Sequence, residues 1–150
     1  MEKELKLTII VLCYNHEKYL EEAINSIKKQ KCNFNYEIII GDDASTDNSQ
    51  AIIRKITKDM ANVTLVLRKK NIGATNNLYD LYMRSKGKYI IVLESDDYWL
   101  NQDKLQTQMD FLENNKIKEL YTSIKNYDYT KIDKTFCYDI YKTKGWHNLV

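Results

Sequence analysis

The chain has 150 residues, 43% hydrophobic and 29% charged, with a formal net charge of +2. That is enough for one domain with a real core and too little for two, and the near-balance of charge gives no general attraction for nucleic acid. Its longest apolar runs, Leu7 to Cys13 and Tyr89 to Leu93, are too short to span a bilayer, and Met1-Glu2-Lys3-Glu4 does not open a signal peptide, so a cytoplasmic protein is expected. Cys13, Cys32 and Cys137 are odd in number and lack a metal-ligand spacing, which predicts reduced thiols.

Leu5 to Leu12 predicts a first strand, continuous enough in apolar residues to be central in a sheet. Asn15 is the expected N-cap of the next helix, with Glu17 in its first turn. Leu20, Ala23, Ile24 and Ile27 recur at helical spacing, and the helix is expected to run to about Gln30. Lys31 to Asn35 is a polar loop, and Tyr36 to Gly41 a second buried strand that ends in Asp42-Asp43-Ala44-Ser45-Thr46-Asp47. Ile52, Ile53, Ile56 and Met60 mark a second amphipathic helix. Val63 to Leu67 is a third strand, followed by Arg68-Lys69-Lys70, a charge run expected to be a solvated face. A third helix covers about Ala74 to Ser85 with Leu78, Leu81 and Tyr82 inward, and Gly87 is its expected C-cap. Tyr89 to Leu93 is the fourth strand, and Asn101 can cap a fourth helix with Leu105, Met109 and Leu112 on one face. Strand and helix thus alternate four times, which predicts an α/β protein with a doubly wound, mainly parallel sheet flanked by helices. Glu119 to Ile124 suggests one more strand, and the rest of the C-terminal stretch has no clear period.

In such sheets ligands bind beyond the carboxyl ends of the strands, where strand order reverses. The polar clusters at Tyr14, at Asp42-Asp43 and at Glu94-Ser95-Asp96-Asp97 all lie at carboxyl ends. The last cluster crowds acids together, which is costly unless a cation sits among them. Oxygen donors with no His or Cys nearby suit Mg²⁺ or Mn²⁺ better than zinc. If strands two and four flank strand one, Asp43 and Asp96 stand about 10 Å apart, the reach from a nucleobase to a diphosphate. A quieter reading makes Asp42, Asp43 and Asp47 turn formers and caps, and Tyr14 a core aromatic. His16 and His147 have no partner visible in the sequence.

Four blocks carry a family resemblance. They are Tyr14-Asn15-His16-Glu17-Lys18-Tyr19-Leu20 with Ser26 and Gln30; Glu37 to Asp47; Asn71-Ile72-Gly73 with Asn77 and Gly87-Lys88-Tyr89; and Glu94-Ser95-Asp96-Asp97-Tyr98-Trp99 leading to Lys104-Leu105. In this order and at these spacings the chain, from about Leu5 to Asn115, resembles the family 2 glycosyltransferases of the Rossmann-like GT-A fold. The resemblance implies that Tyr14 packs on a uracil or similar ring with Asn15 beside it. It implies that Asp43 hydrogen-bonds the base with Asp42 as support, and that Glu17 and Asn77 belong to the nucleotide-sugar site. The acidic triplet is similar to the family's DxD signature with Glu in first place. Glu94 would face the ribose, Asp96 would ligate Mn²⁺ or Mg²⁺, Asp97 would support it, and Tyr98 and Trp99 would wall the sugar pocket. The implied partners are a nucleoside diphosphate sugar, UDP first among them, and a hydroxyl acceptor such as a saccharide or lipid-linked saccharide. The implied setting is bacterial surface polysaccharide synthesis, with peripheral attachment to the inner membrane face left open.

Two departures from the family pattern matter. Cys13 precedes Tyr14-Asn15 where a small residue or proline is common, and Ser95 replaces the usual glycine between the acids, where a side chain could crowd the sugar. Residues 1–115 are expected to form the donor-binding domain and residues 116–150 a truncated or reduced acceptor region. Asp128, Asp133 and Asp139 are available carboxylates there, but none sits in a pattern that marks it as the general base. Alongside an inverting transferase stands the reading of a catalytically incomplete donor-binding module that needs a partner chain or a second copy. A phosphoacceptor receiver domain shares the element order, yet its acid pair would not follow the second strand.

Overall fold

A computed structural model describes residues 4–114, 120–121 and 138–142 of the chain. The element order is β1 (Leu5–Cys13), α1 (Leu20–Lys28), β2 (Asn35–Asp42), α2 (Ser49–Ile56), β3 (Val63–Leu67), α3 (Ala74–Arg84), β4 (Tyr89–Glu94), α4 (Lys104–Asn114), β5 (Leu120–Tyr121) and β6 (Tyr138–Lys142). The described strands form one sheet in the order β3-β2-β1-β4-β6-β5. β1 pairs in parallel with β2 and β4, and β2 with β3, while β6 runs antiparallel to β4 and to β5. The sheet is therefore mainly parallel and doubly wound, with β1 at the switch point between β2 and β4. No helix among the described residues is long and apolar enough to cross a membrane.

The continuous apolar run of β1 is explained by burial on both faces. Leu7, Ile9, Val11 and Cys13 pack into one core with Leu20, Ala23, Ile24 and Ile27 of α1, Ile53 of α2, and Leu105, Met109 and Leu112 of α4. Ile10 and Leu12 point the other way and meet Ile39, Ile90, and Leu81 and Tyr82 of α3. Each fully buried Leu or Ile contributes about 1.5–3 kcal/mol by leaving water, so these two layers are the main source of stability. They fix the sheet from which the loops at its carboxyl edge project.

Several local expectations are corrected. α1 begins at Leu20, not after Asn15, and its N-cap position is Tyr19, without a side-chain cap bond. Asn15 instead takes a left-handed backbone, φ 58°, which Asn tolerates better than most residues. Its side chain is engaged across the sheet edge, as described below. α1 ends at Lys28, and Gln30 beyond it ties two helices together. Its Nε2 donates to the Asn101 carbonyl at 2.8 Å, and its Oε1 accepts from the Leu105 amide at 3.1 Å. α2 ends at Ile56, so Met60 lies in the turn beyond it. Gly87 is not a C-cap: α3 closes at Ser85. Gly87 is required for space, since a Cβ there would run into the Thr8 backbone while its own amide donates to Thr8 Oγ1 at 2.9 Å. α4 begins at Lys104, so Asn101 lies ahead of its N-cap position, where its Oδ1 accepts the Asp103 amide at 2.8 Å in the preceding turn. The strand expected over Glu119 to Ile124 is present as β5, its remaining residues lying outside the described ones. β6 is an addition that no periodicity announced. Cys13 and Cys32 are free thiols, and burial pushes Cys32 up to about 11, which keeps it protonated at neutral pH. Cys137 lies outside the described residues.

Candidate functional site

Two loops lock together beyond β1 and β2. The Asn15 amide donates to Ser45 Oγ at 2.8 Å, and Asn15 Oδ1 accepts the Thr46 amide at 2.8 Å. Ala44, φ 63°, supplies the matching left-handed turn on the other loop. Glu17 is not in the first turn of α1. Its carboxylate accepts from the amide and the Nδ2 of Asn48, at 2.9 and 3.0 Å, immediately ahead of α2. A negative charge there is favoured by the exposed amides and dipole of that helix end. Asp47 returns the favour, taking the Glu17 amide on one oxygen at 3.1 Å and the Ser49 amide on the other at 2.9 Å. These bonds together hold its carboxyl below the usual range against the opposing effect of burial, with the Ser49 bonds foremost. The result is a rigid platform on which Tyr14 stands 45% exposed. A core aromatic would be covered; this one is not.

Asp42 and Asp43 are both buried, yet their partners differ. Asp42 accepts from the Ser45 amide at 3.0 Å, from the Ser45 hydroxyl, and from Gln50 Nε2 at 2.6 Å. It is therefore a loop anchor beneath the second acid. Asp43 takes the Ile72 and Gly73 amides on its two oxygens, each at 2.9 Å, which aims it towards the loop after β3. Arg68 is no solvated charge. Its Nε donates to Asn77 Oδ1 at 3.0 Å and lies 4.0 Å from Asp43 Oδ1, while Nη2 reaches Asp80 Oδ2 at 2.6 Å. Asn77 is buried and donates to the Gly41 carbonyl at 3.0 Å, so it ties α3 to the end of β2 and holds Arg68 there. Lys69 and Lys70 remain exposed, as a charge run predicts.

The third cluster sits across β1 from the second. Backbone bonds from the Asp43 amide to the Cys13 carbonyl and from the Ser95 amide to the Leu12 carbonyl, both 2.9 Å, fix the two acidic loops on either side of the β1 end. This is the flanking arrangement expected for Asp43 and Asp96. Glu94 ends β4 at the surface, but its carboxyl is raised above the usual range, first by the surrounding protein and then by the charge of Asp96; His16 opposes this and Asp97 adds to it. Ser95 is fully buried, with Oγ 2.9 Å from His16 Nδ1, so this hydroxyl faces the end of β1 and His16. Asp96 is half exposed, with Oδ2 3.8 Å from His16 Nε2. The expectation of no histidine near the acids is thus overturned: His16 is remote in sequence and adjacent in space. Asp97 and Tyr98 are exposed. Trp99 packs on the main core with Lys104 Nζ 5.3 Å from its ring centre, so much of it braces the loop against α4.

No group of three or more His, Cys, Asp or Glu side chains among the described residues could by itself hold a metal ion. The donor chemistry at Asp96 still fits a hard divalent cation, which is commonly held by one or two protein carboxylates with substrate phosphates completing the shell. Of the predicted residues, Tyr14, Asp43 and Asp96 are brought to one edge of the sheet. Asn15, Glu17, Asp42, Asn77 and Ser95 are engaged in hydrogen bonds that shape that edge.

The strand order and mainly parallel sheet are those of the GT-A fold. The chain belongs to glycosyl transferase family 2, whose model matches residues 8–146. An uncharacterized protein of Mycobacterium tuberculosis is 35% identical over 108 residues, covering 71% of this chain and 31% of that protein. The structure of the Staphylococcus aureus poly(ribitol-phosphate) beta-N-acetylglucosaminyltransferase TarS with UDP-GlcNAc is similar at a TM-score of 0.77 and 23% identity, covering 93% of this chain and 46% of that one. A mannosyltransferase of Pyrobaculum calidifontis, solved with GDP-Man and Mn²⁺, is similar at a TM-score of 0.71 and 21% identity, covering 81% of this chain and 36% of that one. The chain spans less than half the length of each of these three proteins.

Proposed function

We propose that this chain carries the donor site of an inverting glycosyltransferase that uses a UDP-sugar and Mn²⁺ or Mg²⁺. The observation that carries the reading is the placement of an exposed Tyr14 beside the amide-bound Asp43 on one side of the β1 end and of Asp96 on the other. Tyr14 stacks on the uracil, Asp43 accepts its ring N–H, and Asp96 holds the metal at the diphosphate with Asp97 beside it. Glu94 faces the ribose, and Tyr98 with Trp99 bounds the sugar. In the reaction an acceptor hydroxyl oxygen bonds to the anomeric carbon, the bond to the diphosphate oxygen breaks with its electron pair, and the hydroxyl proton passes to a carboxylate base. A bound divalent ion supplies neutralisation of the charge developing on the leaving diphosphate.

Residues 1–115 form the donor part in this reading and residues 116–150 belong to the acceptor side, with Asp128, Asp133 and Asp139 as its carboxylates. A saccharide or lipid-linked saccharide at the inner face of a bacterial membrane is the acceptor, in surface polysaccharide synthesis. A donor-binding module completed by a partner chain is the second reading. The test is UDP titration by calorimetry with Mn²⁺ and again with chelator, followed by an assay of sugar transfer from a UDP-sugar to water or an acceptor. Metal-dependent UDP binding is expected. Binding without hydrolysis or transfer selects the second reading, and no binding of UDP, GDP, CDP or dTDP rejects both.

A further inference from the structure

The histidine that meets Asp96 has no role in the donor site drawn above. His16 leaves the end of β1 and is held on three sides. Its amide donates to Ser49 Oγ at 3.1 Å, its ring stands edge-on to Tyr19, and its Nδ1 lies 2.9 Å from the buried Ser95 Oγ. With Nδ1 engaged, Nε2 is the nitrogen turned towards Asp96 Oδ2 at 3.8 Å. A ring nitrogen fixed by a hydrogen bond to its opposite nitrogen is the usual posture of a metal-binding imidazole. A direct hydrogen bond to Asp96 would need about 3 Å, so the pair is not closed on itself.

From this geometry we infer that His16 Nε2 is a second protein ligand of the divalent ion held by Asp96. Neighbouring ligands of an ion bound at about 2.1 Å stand about 3 Å apart, and the half-exposed Asp96 side chain has the freedom to close the remaining gap. The donor set is then one nitrogen and one carboxylate oxygen from the protein, with diphosphate oxygens and water completing it. Nitrogen in the set shifts preference from Mg²⁺ towards Mn²⁺ and the later transition ions. Ser95, in place of a glycine, is the positioning residue, since its hydroxyl fixes the imidazole.

The inference rests on the proposed donor site, and its test separates the two. Mn²⁺ is titrated into the full chain with UDP present, and the bound ion is examined by electron spin echo modulation for a coupled ¹⁴N nucleus. The wild type is expected to show imidazole ¹⁴N modulation and His16→Gln to lose it, with Mn²⁺ affinity falling at least about tenfold and Mg²⁺ affinity falling less. UDP protection of the fold against heating, measured on the same variant, shows that it is folded. Modulation that persists in His16→Gln, or Mn²⁺ binding in the wild type without any modulation, overturns the histidine ligand and leaves the donor site intact. Failure of the wild type to bind Mn²⁺ with UDP overturns both.

Discussion

Arg68 Nε lies 4.0 Å from Asp43 Oδ1 while donating to Asn77 Oδ1, so the buried acid assigned to the nucleobase has a cation behind it and two backbone amides in front. Removing the guanidinium leaves Asn77 Oδ1 without this donor and Asp80 with Arg84 as its remaining charged partner. Arg68→Ala is expected to cost about 1–3 kcal/mol in stability, read from the denaturant midpoint. It is also expected to weaken UDP binding, because Asp43 loses the cation beside it. Arg68→Lys keeps the charge but cannot serve Asn77 and Asp80 at once through a planar fork, so it should recover only part of either property. Full recovery by lysine would mean that charge alone matters here.

Asp96 and Asp42 should separate function from stability. Asp96 is half exposed, and Asp96→Asn is expected to change the unfolding free energy by less than about 0.5 kcal/mol while abolishing metal-dependent UDP binding. Asp42 is wholly buried among Ser45 and Gln50 donors, and Asp42→Asn places an amide where only acceptors fit. That variant is expected to lose about 1–3 kcal/mol. Unchanged calorimetric UDP titration of Asp96→Asn would reject the metal assignment.

The alternation of strands and helices was legible because β1 and β4 are buried on both faces and therefore uniformly apolar, and because α1 and α2 each bury one stripe. The acids stood out because clustered carboxylates at the end of a buried strand repel one another, although turn formers and a solvated acidic turn account for the same pattern. His16 was not, since its partners Ser95 and Asp96 are brought to it only by the pairing of β1 with β4. Arg68 was hidden for the same reason: its neighbours Lys69 and Lys70 are solvated, and nothing in a run of three cations says which one turns inward. Asn15 and Glu17 suited a helix start, but their side chains found better donors across the loop at Thr46 and Asn48. β6 carries no signal of its own because it is an antiparallel addition beyond β4.

Asp80 gives a pH prediction of definite sign. The Arg84 hydrogen bond first, and Arg68 with it, hold its carboxyl below its ordinary value of 3.8 despite partial burial. The folded state therefore binds this proton less readily than the unfolded chain. Its contribution to stability is complete above about pH 4 and is lost as pH falls from there through the folded value. Asp80→Asn lacks the contribution, so wild type and variant should differ by a constant amount at pH 5 to 7 and converge below pH 4. Unfolding by urea at pH 7, 5 and 3 measures this, and a gap that widens in acid would contradict the assignment.

Gly87 and Gly73 should fail for different reasons and by different amounts. A Cβ on Gly87 would overlap the Thr8 amide nitrogen and the Leu7 carbonyl carbon, both backbone atoms of the central strand. Neither can move without shifting β1 against β2 and β4, and the Gly87 amide would also lose its 2.9 Å bond to Thr8 Oγ1. Gly87→Ala is therefore expected to cost about 3 kcal/mol, at the upper end for overpacking. Gly73 has open space around its Cβ position but a backbone at φ +87° and ψ 149°, a region nearly confined to glycine, so Gly73→Ala meets only backbone strain, about 2 kcal/mol. Because the Gly73 amide also donates to Asp43, this variant should weaken UDP binding more than its stability loss suggests. Denaturant midpoints and UDP affinities for the two variants check both orders. Equal stability losses would show that the close approach at Thr8 is relieved by a movement of the loop before β4.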